Sequence, residues 1–322
     1  EQETGNTVRA AHVHRTAHRL GLGRSALPSE PMMASARSAT ELQVLLRSDD
    51  DDRAPLSSSE LQLLRASAGD WCATLFLVGL GFYLDKFVPP FERSVVPQLH
   101  DPDISYPHTP SNSAHVPVSH LYLFAFAVPL VAVVALSARG RAHAVAEAVL
   151  GLLSSLAVAL VAVCIIKSAV GRLRPDFLAR CQPAADGRCT GDAHVVMEGR
   201  KSFPSGHTAL SFAGLGYLSL FVAARLLHAR RLVWTGRLWK LSVAATPWTI
   251  ALLIGLSRIA DYWHHWSDVA AGACIGNLAA YFAYRLRYPP PWVGDATPHA
   301  ALLDAAAASK HLRGKLSPPS EV

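Results

Sequence analysis

The chain has 322 residues, 51% of them hydrophobic and only 17% charged, with a mean hydropathy of +0.22. A soluble domain normally carries more charge, so the composition points to a polytopic membrane protein. The formal net charge of +6 does not indicate a nucleic-acid partner, because Lys and Arg sit in short loops between apolar runs, where they orient a membrane protein.

Residues 1–65 have no sustained apolar period and include the acidic run Asp49–Asp52. They read as a disordered tail with a short helix across Glu41–Arg47. Trp71–Leu84 is the first apolar run and reaches spanning length once Ala66–Gly69 and Asp70 are added. The seven prolines of Asp85–Ser119 exclude a helix there and predict an ordered, extended loop. Leu121–Leu136 is the second span, with a kink expected at Pro129. Arg139 and Arg141 occupy the short loop before the third span, His143–Ile166, which Lys167 ends. A long polar segment holding Cys181 and Cys189 leads to the fourth span, Thr208–Ala224. Arg225, Arg230, Arg231, Arg237 and Lys240 crowd the next loop. The fifth span is Leu241–Leu256. The sixth begins at Asp268 and carries Gly272-x3-Gly276, a spacing that permits close helix packing. A Pro- and Ala-containing tail follows. The expected organisation is a cytosolic tail over 1–65, an all-α six-span transmembrane bundle over 66–288 and a cytosolic tail over 289–322.

Three polar islands interrupt these runs: Lys167-x6-Arg174-Pro175, Pro204-Ser205-Gly206-His207 and Ser257-Arg258-x5-His264-x3-Asp268. Ionisable groups at the lip of a membrane are costly and call for a function. In order and spacing the triplet resembles the signature of the type 2 phosphatidic acid phosphatase superfamily, which includes lipid phosphate phosphatases and the vanadium haloperoxidases, without gap or substitution. Gly171–Cys181 and Lys201–His207 are similar to fungal diacylglycerol pyrophosphate/phosphatidate phosphatases. Pro89–Arg93 and Asp101–Pro107 are similar to the corresponding loop of fungal and plant lipid phosphate phosphatases. The resemblance covers about residues 66–288. It implies a six-span helical bundle around a four-helix catalytic unit, and hydrolysis of phosphatidate, lysophosphatidate or diacylglycerol pyrophosphate without Mg²⁺.

A phosphomonoester is doubly charged near neutral pH, and its transfer needs a nucleophile, a proton donor and charge compensation. His264 offers a neutral imidazole as nucleophile. Asp268, four residues on and expected on the same helical face, would receive its other ring N–H. Alone, this pair would read as a helix cap. The Pro204–His207 corner would start a helix whose free N–H groups, with the Ser205 hydroxyl and the close approach allowed at Gly206, bind an anion. His207 would protonate the leaving oxygen and then activate water. Alone, Pro-Ser-Gly-His says no more than that Ser is a good N-cap. Lys167, Arg174 and Arg258 would supply the positive charge that metal ions provide elsewhere, so no metal or cofactor is expected. Arg172 and Arg180, off the motif, read as solvated or headgroup-contacting. Asp261 and His265 read as supporting residues behind the reacting groups.

In a six-span chain the ends of spans three and five and the starts of spans four and six share one side, so the three motifs can meet at one membrane face. The opposite loops carry Arg139, Arg141 and the five-charge cluster, which places that side and both termini in the cytosol and the site outside it. The expected setting is an endomembrane (vacuole, ER or Golgi) or the plasma membrane. Cys181 and Cys189, sharing an extracytoplasmic loop, are expected to pair, and Cys72, Cys164 and Cys274 to pack in apolar runs. The expected partner is a membrane lipid phosphate substrate, with oligomeric state open. The competing readings are an isoprenoid diphosphate or sphingoid-base phosphatase with the same machinery, and a non-catalytic membrane interaction protein on this fold. A soluble haloperoxidase is at odds with six apolar runs.

Overall fold

The computed structural model describes residues 62, 64–138, 142–226, 238–291 and 297–299. The helix expected over Glu41–Arg47, nearly all of both tails, and Arg139, Arg141, Arg230, Arg231 and Arg237 lie outside the described residues. All the elements that follow belong to one compact unit, Ser58–Val322.

Each apolar run forms a helix that extends beyond its apolar stretch. These helices are α1 (Ala68–Phe87), α2 (Val118–Ser137) and α3 (Ala142–Val170). Two short helices follow, α4 (Phe177–Cys181) and α5 (Ala193–Gly199), then α6 (Gly206–Leu226), α7 (Leu238–Ala260) and α8 (Trp266–Arg287). Among the described residues the architecture is all-α. By length and apolar composition α2, α3, α6 and α7 qualify as membrane-crossing. Helices α1 and α8 are long, 20 and 22 residues, but carry Asp70, Asp85 and Lys86, and Asp268, Arg285 and Arg287, near their ends.

Helix α6 lies at the centre. Of its most apolar stretch 61% is buried, against 22% for α2, and it packs on α8, α7, α3 and α2. Small side chains make this possible: a Cβ on Gly272 of α8 would lie 2.6 Å from the Ser205 carbonyl oxygen, and one on Gly276 2.6 Å from Phe212 Cβ. Helix α2 contains a π-helical turn, Leu123–Ala127, just ahead of Pro129. Proline has no N–H for the carbonyl four residues back. That carbonyl belongs to Ala125, and it lies against Gly214 of α6.

At one end of the bundle Arg287 ties α8 to the starts of α1 and α3, through Asp70 (3.0 Å) and Glu147 (3.3 Å). The three motifs lie at the other end, as alternating helix direction requires. The Pro-rich connection between α1 and α2 is ordered, as expected, but not wholly extended. It holds 3₁₀ turns at Val96–Gln98 and Pro102–Ile104, each with Pro in its first turn, and the Asp101 side chain caps the second (2.9 Å from Asp103 N). Cys181 and Cys189 form a disulfide that closes the segment between α4 and α5.

Candidate active site

Lys167 lies in the last turn of α3, one turn before the helix end, with its ammonium against the first residue of α6. Nζ is 3.2 Å from where a Gly206 Cβ would stand. The chain then leaves α3 through Gly171 at φ +57°, a left-handed conformation that glycine adopts without penalty. This turn carries Arg174 inward. Its backbone N–H bonds the Gly199 carbonyl (2.9 Å), its guanidinium stacks 4.7 Å from the Trp263 ring, and Nη2 stands 3.8 Å from Glu198. Burial, and next the Arg180 charge, lower the Arg174 pKa to about 10, which leaves it a cation at neutral pH. Burial opposes ionisation of Glu198 as well. The hydrogen bond from Lys201 and the charges of Arg174, Lys201 and Lys167 outweigh it and hold that carboxyl at about 2.

Ser205 begins α6 as its sequence suggests. Its Oγ accepts from the Thr208 N–H (3.4 Å) and hydroxyl (2.8 Å), so its own hydroxyl proton is left to donate. Its backbone N–H bonds the Asp268 carbonyl (3.0 Å), which joins the second motif to the third. His207, one residue into the helix, lies in the electrostatic reach of Arg258, His264, Lys167 and Arg174.

The third motif departs from the expected geometry. Helix α7 stops at Ala260, Tyr262 turns the chain at φ +59°, and the Trp263 and His264 N–H groups both bond the Arg258 carbonyl (3.1 and 3.2 Å). His264 therefore lies in a turn, not on the helix of Asp268. Asp268 is three residues into α8 and accepts from the His265 N–H at 3.0 Å, as in a capping box. Its carboxylate also accepts from Ser202 Oγ (2.6 Å) and Arg172 Nη1 (2.7 Å), with His265 Nδ1 at 3.2 Å. His264 Nδ1 stands 3.6 Å from it, in the field of the carboxylate but beyond hydrogen-bond length. Burial disfavours the imidazolium, Asp268 favours it, and Arg174 and Lys167 disfavour it again. The balance lowers the His264 pKa to about 4, so the ring is neutral at physiological pH.

Four buried nitrogens of this cluster, Arg174 Nε and Nη1, His207 Nε2 and His264 Nδ1, have no hydrogen-bond partner among the described residues. Buried donors are normally satisfied. A site that leaves the Arg174 guanidinium donors open, with two imidazoles beside a helix N-terminus, is complementary to a tetrahedral oxyanion.

The PAP2 superfamily profile matches residues 148–291, which contain all three motifs. Lipid phosphate phosphatase 2 of Arabidopsis thaliana is 38% identical over 263 residues, 76% of this chain and 86% of that protein. Diacylglycerol pyrophosphate phosphatase 1 of Saccharomyces cerevisiae is 35% identical over 231 residues, 67% of this chain and 77% of the yeast protein. The chain belongs to the PAP2 superfamily. A probable diacylglycerol pyrophosphate phosphatase 1 of Schizosaccharomyces pombe is 37% identical over 231 residues, 68% of this chain and 80% of that one. No solved structure matches it. With its apolar helices, this PAP2 chain is an integral membrane protein of the all-α PAP2 bundle kind.

Some residues outside the motifs matter more than the sequence suggests. Arg172, its side chain a third exposed, is the partner of Asp268 rather than a solvated cation alone. Its place two residues from Arg174 in the first motif is the one sequence signal that could have singled it out. Arg180 is buried, held by Asp176 (2.9 and 2.8 Å) and stacked 5.0 Å from Trp263, so the headgroup-contact reading fails for it too. Asp261 does stand behind a motif residue: it accepts from Arg258 Nη2 at 2.6 Å. The contacts of the Pro-rich loop with this segment, through His108, Thr109 and His115, carry no signal in the sequence.

Proposed function

We propose that the chain is a Mg²⁺-independent lipid phosphate phosphatase acting on phosphatidate, lysophosphatidate or diacylglycerol pyrophosphate through a phosphohistidine. The cluster of unsatisfied buried donors beside the α6 N-terminus carries this reading. Lys167, Arg174, Ser205 Oγ, the N–H groups around Gly206 and Arg258 bind the phosphate oxygens. His264, neutral at working pH, attacks phosphorus, forming the N–P bond as the P–O bond to the leaving alcohol breaks. As charge develops on the ring, Nδ1–H closes the 3.6 Å gap to Asp268. His207, entering this step as the imidazolium, gives one proton to the departing oxygen and becomes neutral. It then takes one from water as that water displaces His264 from phosphorus, which releases inorganic phosphate and restores both histidines.

The relatives' names support the substrate class, since proteins called lipid phosphate and diacylglycerol pyrophosphate phosphatases share the motif-bearing region. Six spans, with the site on the extracytoplasmic face of an endomembrane or the plasma membrane, fit the disulfide on the motif side of the bundle, because disulfides persist in oxidising compartments. Charge compensation by fixed cations predicts that phosphatidate hydrolysis in detergent micelles survives EDTA. It predicts too that vanadate, which imitates pentacoordinate phosphorus, inhibits it. Loss of turnover on chelation with recovery on adding Mg²⁺ overturns the reading.

A further inference from the structure

The cation most deeply enclosed in the cluster, Arg258, is 1% exposed, and a buried carboxylate, Asp261 at 2%, sits directly on it. A guanidinium wholly compensated by its own carboxylate attracts a phosphate weakly. Asp261, however, does not belong to Arg258 alone. Its Oδ1 is engaged by His115 Nδ1, and the His115 backbone N–H approaches Oδ2 and Oδ1 at 3.2 and 3.4 Å. The carboxylate is thus divided between Arg258 on one side and the Pro-rich loop on the other. Arg258 Nε and Nη2 point to Ser257 Oγ (3.1 Å each), and Nη1 makes none of these bonds.

The same loop grips the rest of the segment. Thr109 O accepts from Trp263 Nε1 (2.9 Å), and Tyr106 stacks on Tyr262 (4.7 Å), the residue held at positive φ. Asp103 O faces His265 Nε2 (3.2 Å). Beside the first motif, the Tyr106 N–H bonds the Pro175 carbonyl (3.0 Å) and His108 pairs with Asp176 (2.7 Å). Of these contacts, only that of His115 reaches the carboxylate that bears on Arg258.

We propose that His115 is a positioning residue for Arg258: by holding Asp261 from the loop side, it keeps the Arg258 guanidinium presented to phosphate. The proposal rests on the phosphate-site reading above. The His115 side chain is 67% exposed, so its removal opens no cavity in the core and leaves the helices intact.

The test uses the full chain in detergent, with vanadate affinity read from the ligand-induced rise in melting temperature and hydrolysis followed in parallel. His115→Ala is expected to weaken vanadate binding and raise the phosphatidate KM by ~5–20-fold, the scale of one hydrogen bond to a charged group, with kcat changed far less. His115→Asn, whose amide nitrogen stands where Nδ1 does, is expected to restore most of the loss. On an Arg258→Ala background, His115→Ala is expected to cost nothing further, a coupling that a merely structural role would not produce. Unchanged vanadate affinity in His115→Ala, equal damage by Asn and Ala, or additive losses in the double variant overturn the proposal. Wild-type protein that binds vanadate without hydrolysing any lipid phosphate overturns the activity and leaves the His115 test standing. Failure of wild-type protein to bind vanadate overturns both.

Discussion

His264 and His207 are held in different ways, and this separates their proposed roles. His264 is fixed through its backbone to Arg258 and faces a carboxylate that three other groups, on Arg172, Ser202 and His265, already orient. His207 sits at the head of α6 with Nε2 open. If His264 forms the covalent bond and His207 moves protons, their variants fail differently. His264→Ala is expected to abolish phosphoenzyme with every substrate. For His207→Asn the loss should follow the leaving group's need for a proton, on the order of 10²–10⁴-fold for phosphatidate, which expels an alkoxide. It should be smaller for diacylglycerol pyrophosphate or an aryl phosphate, which expel stable anions. If His207 also activates water, as proposed, phosphorylated His264 should accumulate on those two substrates. Rapid-quench measurement of acid-labile phosphoenzyme reads both effects, and equal losses for all three would leave His207 a binding residue only.

Helix α8 shows how packing and chemistry share one element. Its first turn carries Asp268, and one turn further on Gly272 lies against the Ser205 carbonyl and Thr208, so the helix that supplies the carboxylate also sets the position of the α6 N-terminus. A methyl at Gly272 would have to displace backbone, not a flexible side chain. Gly272→Ala is expected to destabilise by roughly 1–3 kcal/mol, as overpacking does, and to lower phosphate-releasing activity further than its melting temperature explains. Gly79→Ala on α1 meets nothing within 4 Å and is the control, expected to be neutral or slightly stabilising by ~0.5–1 kcal/mol. Thermal unfolding in detergent beside activity at a permissive temperature checks both. Normal activity in a folded Gly272→Ala would mean that the α6–α8 contact serves packing alone.

Across the whole molecule the helices alternate in direction, and this brings the ends of α3 and α7 to the starts of α6 and α8. The opposite end is closed by the Arg287–Asp70–Glu147 ion pairs and leads into the basic α6–α7 connection flanked by Arg225 and Lys240. If that end is cytosolic, a glycosylation tag inserted near residue 190, beside the disulfide, should be modified and one near residue 233 should not. The reverse pattern would invert the proposed orientation and the substrate's route to the site.

Much of this protein is legible in the amino-acid sequence, because the relevant signals are local. Runs such as Leu121–Leu136 and Leu241–Leu256 must satisfy their backbone internally in a bilayer, and being continuously apolar instead of alternating they form helices, and the motif spacings name Lys167, Arg174, His207, His264 and Asp268. Local reading fails where a residue's partner is distant in the chain. The spacing of four put His264 and Asp268 on one helix, but the turn at Tyr262 breaks it, and its positive φ is held by stacking on Tyr106 from another loop. Arg172 looked solvated because its carboxylate lies 96 residues away, and His115 was silent because Asp261 lies 146 residues away. Composition and periodicity determine which segments enter the membrane and which residue types gather at its edge. The tertiary structure alone decides which carboxylate each buried cation keeps, because that choice follows from which side chains burial brings together, and it sets how much positive charge is left for a phosphate.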